Sequence, residues 1–163
     1  LESDFRPHFF SGVATVVTKL LLAAMPDVAV FGEKDYQQLL VVKRLVADLM
    51  LDTRIIGVPT LREADGLAMS SRNAYLSASE RVVAARMNHI LRDTIAMARG
   101  GALRAAEESG AAELLKAGFD KIDYVAIRDA LTLEETGTLV RPARILAAAH
   151  LGRTRLIDNL AIS

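Results

Sequence analysis

Apolar residues recur at helical spacing in the opening third of the chain: Val13, Val16, Val17, Leu20, Leu21 and Ala24, until Pro26 stops the run. Ser11 stands before them as the N-cap. Val28-Ala29-Val30-Phe31 is a short continuous apolar run between Pro26-Asp27 and Gly32, and it reads as a buried strand. From about Asp35 to Met50 the pattern returns to a helical period, with Leu39, Val42, Val46 and Leu49 on one face. Arg54-Ile55-Ile56-Gly57-Val58 is the next strand, ended by Pro59. Strand, helix and strand within about thirty residues make one βαβ unit and hence a parallel sheet, whose ligands bind at the carboxyl ends of the strands.

The pattern changes near Pro59. Residues 60–76 read as a loop, with a turn at Asp65-Gly66 and a polar run Ser70-Ser71-Arg72-Asn73. Ser77-Ala78-Ser79-Glu80 has the spacing of a capping box, and the helix behind it runs to Arg99 before Gly100-Gly101. A further helix spans about Leu103 to Ala117, with Gly118 beyond its end. The tail is strand-rich: Ile122 to Ile127, Ala143 to Ala149, and Thr154 to Ile162 around a Leu151-Gly152 turn. The class is α/β: half of a Rossmann-like parallel sheet over residues 1–59, then a small α+β lobe over 60–163.

Composition narrows the chemistry. The chain has 163 residues, 20 basic and 20 acidic side chains, no cysteine and 52% hydrophobic content. Balanced charge gives no general attraction to nucleic acid or to an anionic membrane, although a local anion site stays open. Lack of cysteine excludes a disulfide scaffold, a thiolate metal site and a cysteine nucleophile. It fits a reducing cytosol. No start-proximal segment reads as a signal peptide, and no apolar run approaches the roughly 18 residues of a membrane span. We read a soluble, intracellular, cytoplasmic protein. The chain opens without an initiator Met, directly into Phe5-Arg6-Pro7, as a fragment or a processed chain would.

Two segments carry candidate chemistry. In Gly32-Glu33-Lys34-Asp35-Tyr36-Gln37-Gln38 a strand meets a helix, so first-turn amides point to the sheet's carboxyl edge and favour a phosphate. Gly32 lets the backbone approach closely and Lys34 supplies an ammonium. The same residues also read structurally, with Asp35 and Gln38 as a capping box and Gly32 merely turning the chain. In Asp65-Gly66-Leu67-Ala68-Met69-Ser70-Ser71-Arg72-Asn73, two hydroxyls, backbone amides and a guanidinium can enclose a phosphate, or form only a solvated loop. Both segments flank one βαβ unit and could face one crevice. His8 follows Arg6-Pro7 in an extended entry segment; His89 reads as packed or on the surface, and His150 as structural. Asp158-Asn159 reads as a turn or strand-end pair, and the methionines apart from Met69 as scattered core fillers. No His, Asp or Glu set has metal-ligand spacing, and no nucleophile elbow occurs.

Taken jointly, Gly32 through Leu39, Val58-Pro59 followed by Asp65 through Asn73, and Leu151-Gly152 through Arg155-Leu156-Ile157-Asp158-Asn159 resemble the pantoate–beta-alanine ligase family, essentially end to end. The likeness covers the later part of that enzyme; the family's amino-terminal half-sheet, with its His-x-Gly-His signature and an early pantoate-binding glutamine, is absent. The resemblance implies a two-step reaction. Pantoate attacks the α-phosphate of ATP, giving pantoyl adenylate and pyrophosphate, and the amine of β-alanine then displaces AMP. It implies that Gly32, Glu33, Lys34 and Asp35 line the ATP site, that Leu61 holds the adenine through its backbone, and that Met69, Ser70, Ser71 and Arg72 close over the triphosphate. Lys34 and Arg72 would act on the phosphates in catalysis, and Gln38 and Arg6 would meet pantoate. Mg²⁺ would come with ATP, held chiefly by the phosphates, with no dedicated metal site. A homodimer is implied as well, and the fragment alone would turn over little.

One departure stands out. The family pattern Arg-Pro-x-His-Phe-x-Gly-Val reads here Arg6-Pro7-His8-Phe9-Phe10-Ser11-Gly12-Val13, with the histidine one place early and Phe9 in its position. In an extended segment one step reverses the side chain, so the histidine contact is not carried over. Two rivals remain: a related adenylate-forming nucleotidyltransferase acting on another acid, and a non-catalytic association module.

Overall fold

The structure, a computed structural model, describes residues 1–140 and 142–162. They divide into two compact units, Leu1–Thr60 and Leu61–Ser163. No helix among the described residues is long and apolar enough to cross a membrane.

The first unit begins with helices α1 (Glu2–Phe5) and α2 (Phe9–Ala24), followed by strand β1 (Val28–Gly32). A 3₁₀ turn over Glu33–Asp35 leads into α3 (Tyr36–Asp48), and β2 (Arg54–Val58) closes the unit. β1 and β2 pair in parallel, Val28 opposite Arg54 through Gly32 opposite Val58, which makes the expected βαβ unit. Their starts are tied by Thr53, whose hydroxyl donates to the Pro26 carbonyl at 2.8 Å. The core joins Val17 and Leu21 of α2 to Val42 and Val46 of α3, with Ala29, Phe31 and Ile55 of the sheet packed against them.

Four expectations are corrected here. Residues before Pro7 are not extended: α1 forms, with the Arg6 amide donating to the Glu2 carbonyl at 2.8 Å. α2 starts at Phe9, so Ser11 lies inside its first turn and donates its hydroxyl to the His8 carbonyl at 2.8 Å instead of capping. Asp35 and Gln38 make no capping box. The 3₁₀ turn leaves Asp35 at φ −94° and ψ 60°, outside the extended conformation of an N-cap, and its side chain makes no cap hydrogen bond. Finally, β1 is not buried. The helices cover one face of a two-stranded sheet, so Ala29 and Phe31 are half-buried while Val28 and Val30 alternate outward, Val30 60% exposed.

The second unit packs α4 (Ala78–Ala98) and α5 (Leu103–Ala117) on an antiparallel sheet of β3 (Lys121–Asp129), β4 (Ala143–Leu151) and β5 (Thr154–Ile162), with β4 central. α4 starts on the capping box that its sequence spells: Ser77 Oγ accepts from the Glu80 amide and a Glu80 carboxylate oxygen accepts from the Ser77 amide at 2.7 Å. The core is formed by Met87, Leu91 and Ile95 of α4, Ala106 and Leu114 of α5, and Ile127, Ile145, Ala147, Ala149 and Leu156 of the sheet. Met87 is the methionine that fills a core; Met25, Met50 and Met97, expected inside, are exposed, the first two at helix ends with φ of 43° and 51°. Asp158 and Asn159 are also corrected: they form no turn but lie buried within β5, opposite Ala147 and Leu146.

α4 and α5 approach closely because Gly110 has no side chain. A Cβ there would lie 2.5 Å from Thr94 Oγ1, on a buried hydroxyl already bonded to the Ile90 carbonyl. Gly110→Ala is therefore expected to lower stability by about 1–3 kcal/mol through overpacking. Gly12→Ala, where a Cβ meets nothing within 4 Å on α2, is expected to raise it by about 0.5–1 kcal/mol. Urea titrations of both variants measure the difference.

Candidate functional site

In the first unit, Gly32-Glu33-Lys34-Asp35 sits where the sequence pattern puts it, at the carboxyl end of β1 and directly before α3. Gly32 has φ −71°, a conformation open to any residue, so the turn itself does not require glycine. A Cβ at Gly32 would meet no protein atom within 4 Å. What the missing side chain leaves is open space at the sheet's carboxyl edge, as close approach by a ligand needs. Glu33 is half-buried and would be touched by a side chain at Gly57, whose added Cβ would also lie 2.8 Å from Leu39 Cδ2. Lys34 Nζ lies 3.8 Å from Asp35 Oδ2, with 17% of the lysine side chain exposed. Most of the side chain is thus covered. Gln38 is half-buried in the first turn of α3.

Arg6 is half-buried and its guanidinium carbon lies 3.8 Å from the centroid of the Phe9 ring, a cation–π contact that orients it. His8 is exposed at φ 67° before α2, and Phe9 is the first helical residue. The two positions differ by the entry into a helix, and not by one step of an extended strand.

In the second unit, residues 61–69 form a small antiparallel loop. Arg62 bridges Ala68, the Glu63 amide donates to the Leu67 carbonyl at 2.9 Å, and the Met69 amide donates to the Leu61 carbonyl at 2.9 Å. Asp65-Gly66 makes the tip, with Gly66 at φ 89°. Arg81 grips Asp65 at 2.7 and 3.1 Å, and these bonds, with the Leu67 amide, hold its carboxyl below the usual carboxylate range. The other end runs into a 3₁₀ turn over Ser71–Tyr75, where Ser70 Oγ accepts from the Arg72 amide at 3.2 Å. Asn73 Nδ2 donates to the Ala68 carbonyl at 3.1 Å. Leu61, Met69 and Ser71 are exposed while Leu67 and Ala68 are buried. The loop presents its two ends and anchors its middle. Ser70 retains its hydroxyl proton for donation, and the Leu61 carbonyl retains one lone pair.

The family model for pantoate–beta-alanine ligase matches residues 1–161. The chain belongs to the pantoate–beta-alanine ligase family. It is 58% identical over 158 residues to a pantothenate synthetase of Rhizorhabdus wittichii, an alignment covering 96% of this chain and 56% of the relative. Among solved structures it is similar to pantothenate synthetase from Thermus thermophilus, with 46% identity and a TM-score of 0.91, over 98% of this chain and 58% of that one. It is also similar to the ligase from Francisella tularensis, solved complexed with beta-gamma ATP and beta-alanine, with 36% identity, a TM-score of 0.75, and coverage of 98% and 53%. The chain thus spans less than three-fifths of the length of the relatives it matches. The parallel sheet followed by an antiparallel three-stranded one is the pantothenate synthetase fold.

Within this family frame the structure adds residues that sequence reading missed. Arg62 is held by Asp158 and Asn159, and Asn159 Oδ1 in turn accepts from Arg144. The available signal was a carboxylate between the apolar residues Leu156-Ile157 and Leu160 of a strand, since such a group is rarely buried unless paired. Among the histidines, His89 is on the surface of α4. His150 Nε2 lies 3.2 Å from Asp123, which also accepts from Arg155 Nε at 2.7 Å and lies 3.2 Å from Lys121 Nζ. This cluster holds β3, β4 and β5 together, in keeping with a structural role for His150.

Burial alone would raise the Asp123 carboxyl, but the bonds from Arg155, His150 and Lys121 outweigh it and hold it below the usual range. A lowered folded-state pKa contributes stability above the ordinary aspartate value of about 3.9, lost as pH falls through the folded value. Asp123→Asn is expected to destabilise the protein at pH 7 and to flatten its loss of stability below about pH 4, read from urea midpoints across pH.

Proposed function

We propose that this chain is the ATP-loop and carboxy-terminal part of a ligase that condenses pantoate with β-alanine at the expense of ATP. The observation that carries the reading is the open edge before Gly32-Glu33-Lys34-Asp35, in a chain of this family. Glycine there answers to no demand of the turn or of packing, and a phosphate supplies the demand.

A carboxylate and an amine do not condense in water, so the carboxylate must first be given a leaving group. A pantoate carboxylate oxygen attacks the α-phosphorus of ATP, the bond to the bridging oxygen breaks, and pyrophosphate departs with its electron pair. The β-alanine nitrogen then attacks the acyl carbon, AMP leaves, and the amine proton passes to solvent or base. These steps ask the protein for orientation and for stabilisation of developing phosphate charge. In this reading Gly32, Glu33 and Asp35 line the nucleotide site and Lys34 brings an ammonium to the phosphates. Leu61 reaches the adenine through its backbone. Met69, Ser70 and Ser71 offer a side chain, hydroxyls and amides to the triphosphate, and Arg72 its guanidinium. Gln38 and Arg6 meet pantoate. Mg²⁺ arrives with ATP as part of the substrate; among the described residues no group of three or more His, Asp or Glu side chains is placed to hold a metal ion. The working assembly in this reading is a homodimer.

Amine-directed acylation followed by mass spectrometry tests the nucleotide assignment. Mg·ATP is expected to protect Lys34 and to slow proteolysis after Arg72; equal labelling and cleavage with and without nucleotide would leave an association module as the better reading. With the amino-terminal half of a relative supplied, Lys34→Ala and Arg72→Ala are each expected to lower pantoate-dependent AMP formation by about 10²–10³-fold, or roughly 3–4 kcal/mol, as removal of one charge-stabilising donor does elsewhere. AMP formation that depends on a different acid would move the chain to a related adenylate-forming reaction.

A further inference from the structure

We infer that Arg62 is a positioning residue for the nucleotide segment, acting through the carboxylate of Asp158. The inference rests on the reading of Leu61 and Met69–Arg72 as ATP contacts. Arg62 donates from Nη1 to Asp158 Oδ2 at 2.8 Å and to the Gly66 carbonyl at 3.0 Å. From Nη2 it donates to Asp158 Oδ1 at 2.9 Å and to the Asn159 carbonyl at 3.3 Å. Both terminal nitrogens are thus used twice, in the planar fork that fits a carboxylate and that a lysine ammonium cannot reproduce.

The placement of this fork gives it a role beyond holding the fold. Arg62 is the residue next to Leu61 and bridges Ala68, the residue before Met69. The side chain therefore fixes its own strand of the loop and the Gly66 carbonyl to β5, 96 residues further along the chain. The backbone pairing of Arg62 with Ala68 and of Met69 with Leu61 carries that placement to the other end. The Asp158 side chain is 3% exposed, and its Oδ1 also accepts from the Asn159 amide at 2.7 Å, so the acceptor is itself immobile. The tip, where Arg62 reaches the Gly66 carbonyl, has a second fastening in Arg81 on Asp65. Loss of the Arg62 fork would release the Gly66 carbonyl and leave the tip held by Arg81 on Asp65 alone, while Leu61 and Met69 shift against β5. Small misplacement of a substrate-holding group lowers binding and rate steeply.

Replacing one partner alone strands the other charge in the interior and risks unfolding. The test therefore uses the paired variant Arg62→Met with Asp158→Leu, which removes both charges, alongside Arg62→Lys, which keeps the charge and loses the fork. Three quantities are read on each: amide hydrogen exchange at Glu63 and Met69, the same at Leu91 and Ile145 in the core of this unit, and Mg·ATP affinity by calorimetry. Both variants are expected to unfold cooperatively, to lose amide protection at Glu63 and Met69, and to bind Mg·ATP about 10–100-fold more weakly. Protection at Leu91 and Ile145 is expected to be unchanged, which a general loosening of the second unit would not allow. Retained protection and retained nucleotide affinity in Arg62→Lys, or in a folded paired variant, would overturn the inference. If the parent chain binds no Mg·ATP, the functional reading fails separately, and the exchange rates alone decide whether Arg62 sets the loop.

Discussion

A carboxylate buried in the middle of a strand must be neutralised, and the anchoring of the 61–69 loop follows from that requirement. Asp158 faces the same side of the sheet as Ala147, where an unpaired charge would be expensive. Arg62 supplies the counter-charge, and since that arginine belongs to the loop that ends in Met69-Ser70-Ser71-Arg72, the demand of the strand becomes an anchor for the loop. Replacing such a buried pair by apolar side chains is often neutral or favourable for stability. Stability alone therefore gives a thin reason for keeping it, whereas geometry at the loop ends gives a direct one. Arg144 on Asn159 extends the same arrangement to the central strand.

The first unit works by omission. Its turn after β1 is short, the following helix is reached through a 3₁₀ turn without a side-chain cap, and the glycine at the junction presents no Cβ. Each feature leaves the sheet edge less covered than a capped, side-chain-bearing junction would. Backbone amides at a helix start, where the helix itself supplies no acceptor, favour an anion. The acidic Asp35 beside Lys34 then tempers the local positive charge.

Much of this was readable from the sequence, and the reason is distance along the chain. The Ser77–Glu80 capping box, the Gly118 helix end and the β4–β5 hairpin at Gly152 are settled by residues within a few places of one another, so their patterns are self-contained. The βαβ unit is legible because the apolar period changes sharply at Gly32 and again at Met50. The failures are of two kinds. Asp35 and Ser11 have the composition of caps, but the conformation of the residues before them decides whether they cap, and composition is silent on that. β1 reads as buried on both faces, yet burial on each face depends on what packs there, and the helices of this unit cover one. The Arg62–Asp158 pair joins positions 96 residues apart, and no local pattern connects them. In the candidate site the motif residues stood out by their spacing, while the residue that holds them in place did not.

The uneven exposure of the methionines bears on oxidative damage. Met87 is 2% exposed, whereas Met25, Met50, Met69 and Met97 are exposed to solvent. Peroxide converts accessible methionine to the sulfoxide first, making a flexible apolar side chain polar. At the helix ends marked by Met25 and Met50 the added oxygen would enter water and disturb little. At Met69 it would fall beside Ser70, Ser71 and Arg72, so an oxidant would reach the candidate site before it reached the core.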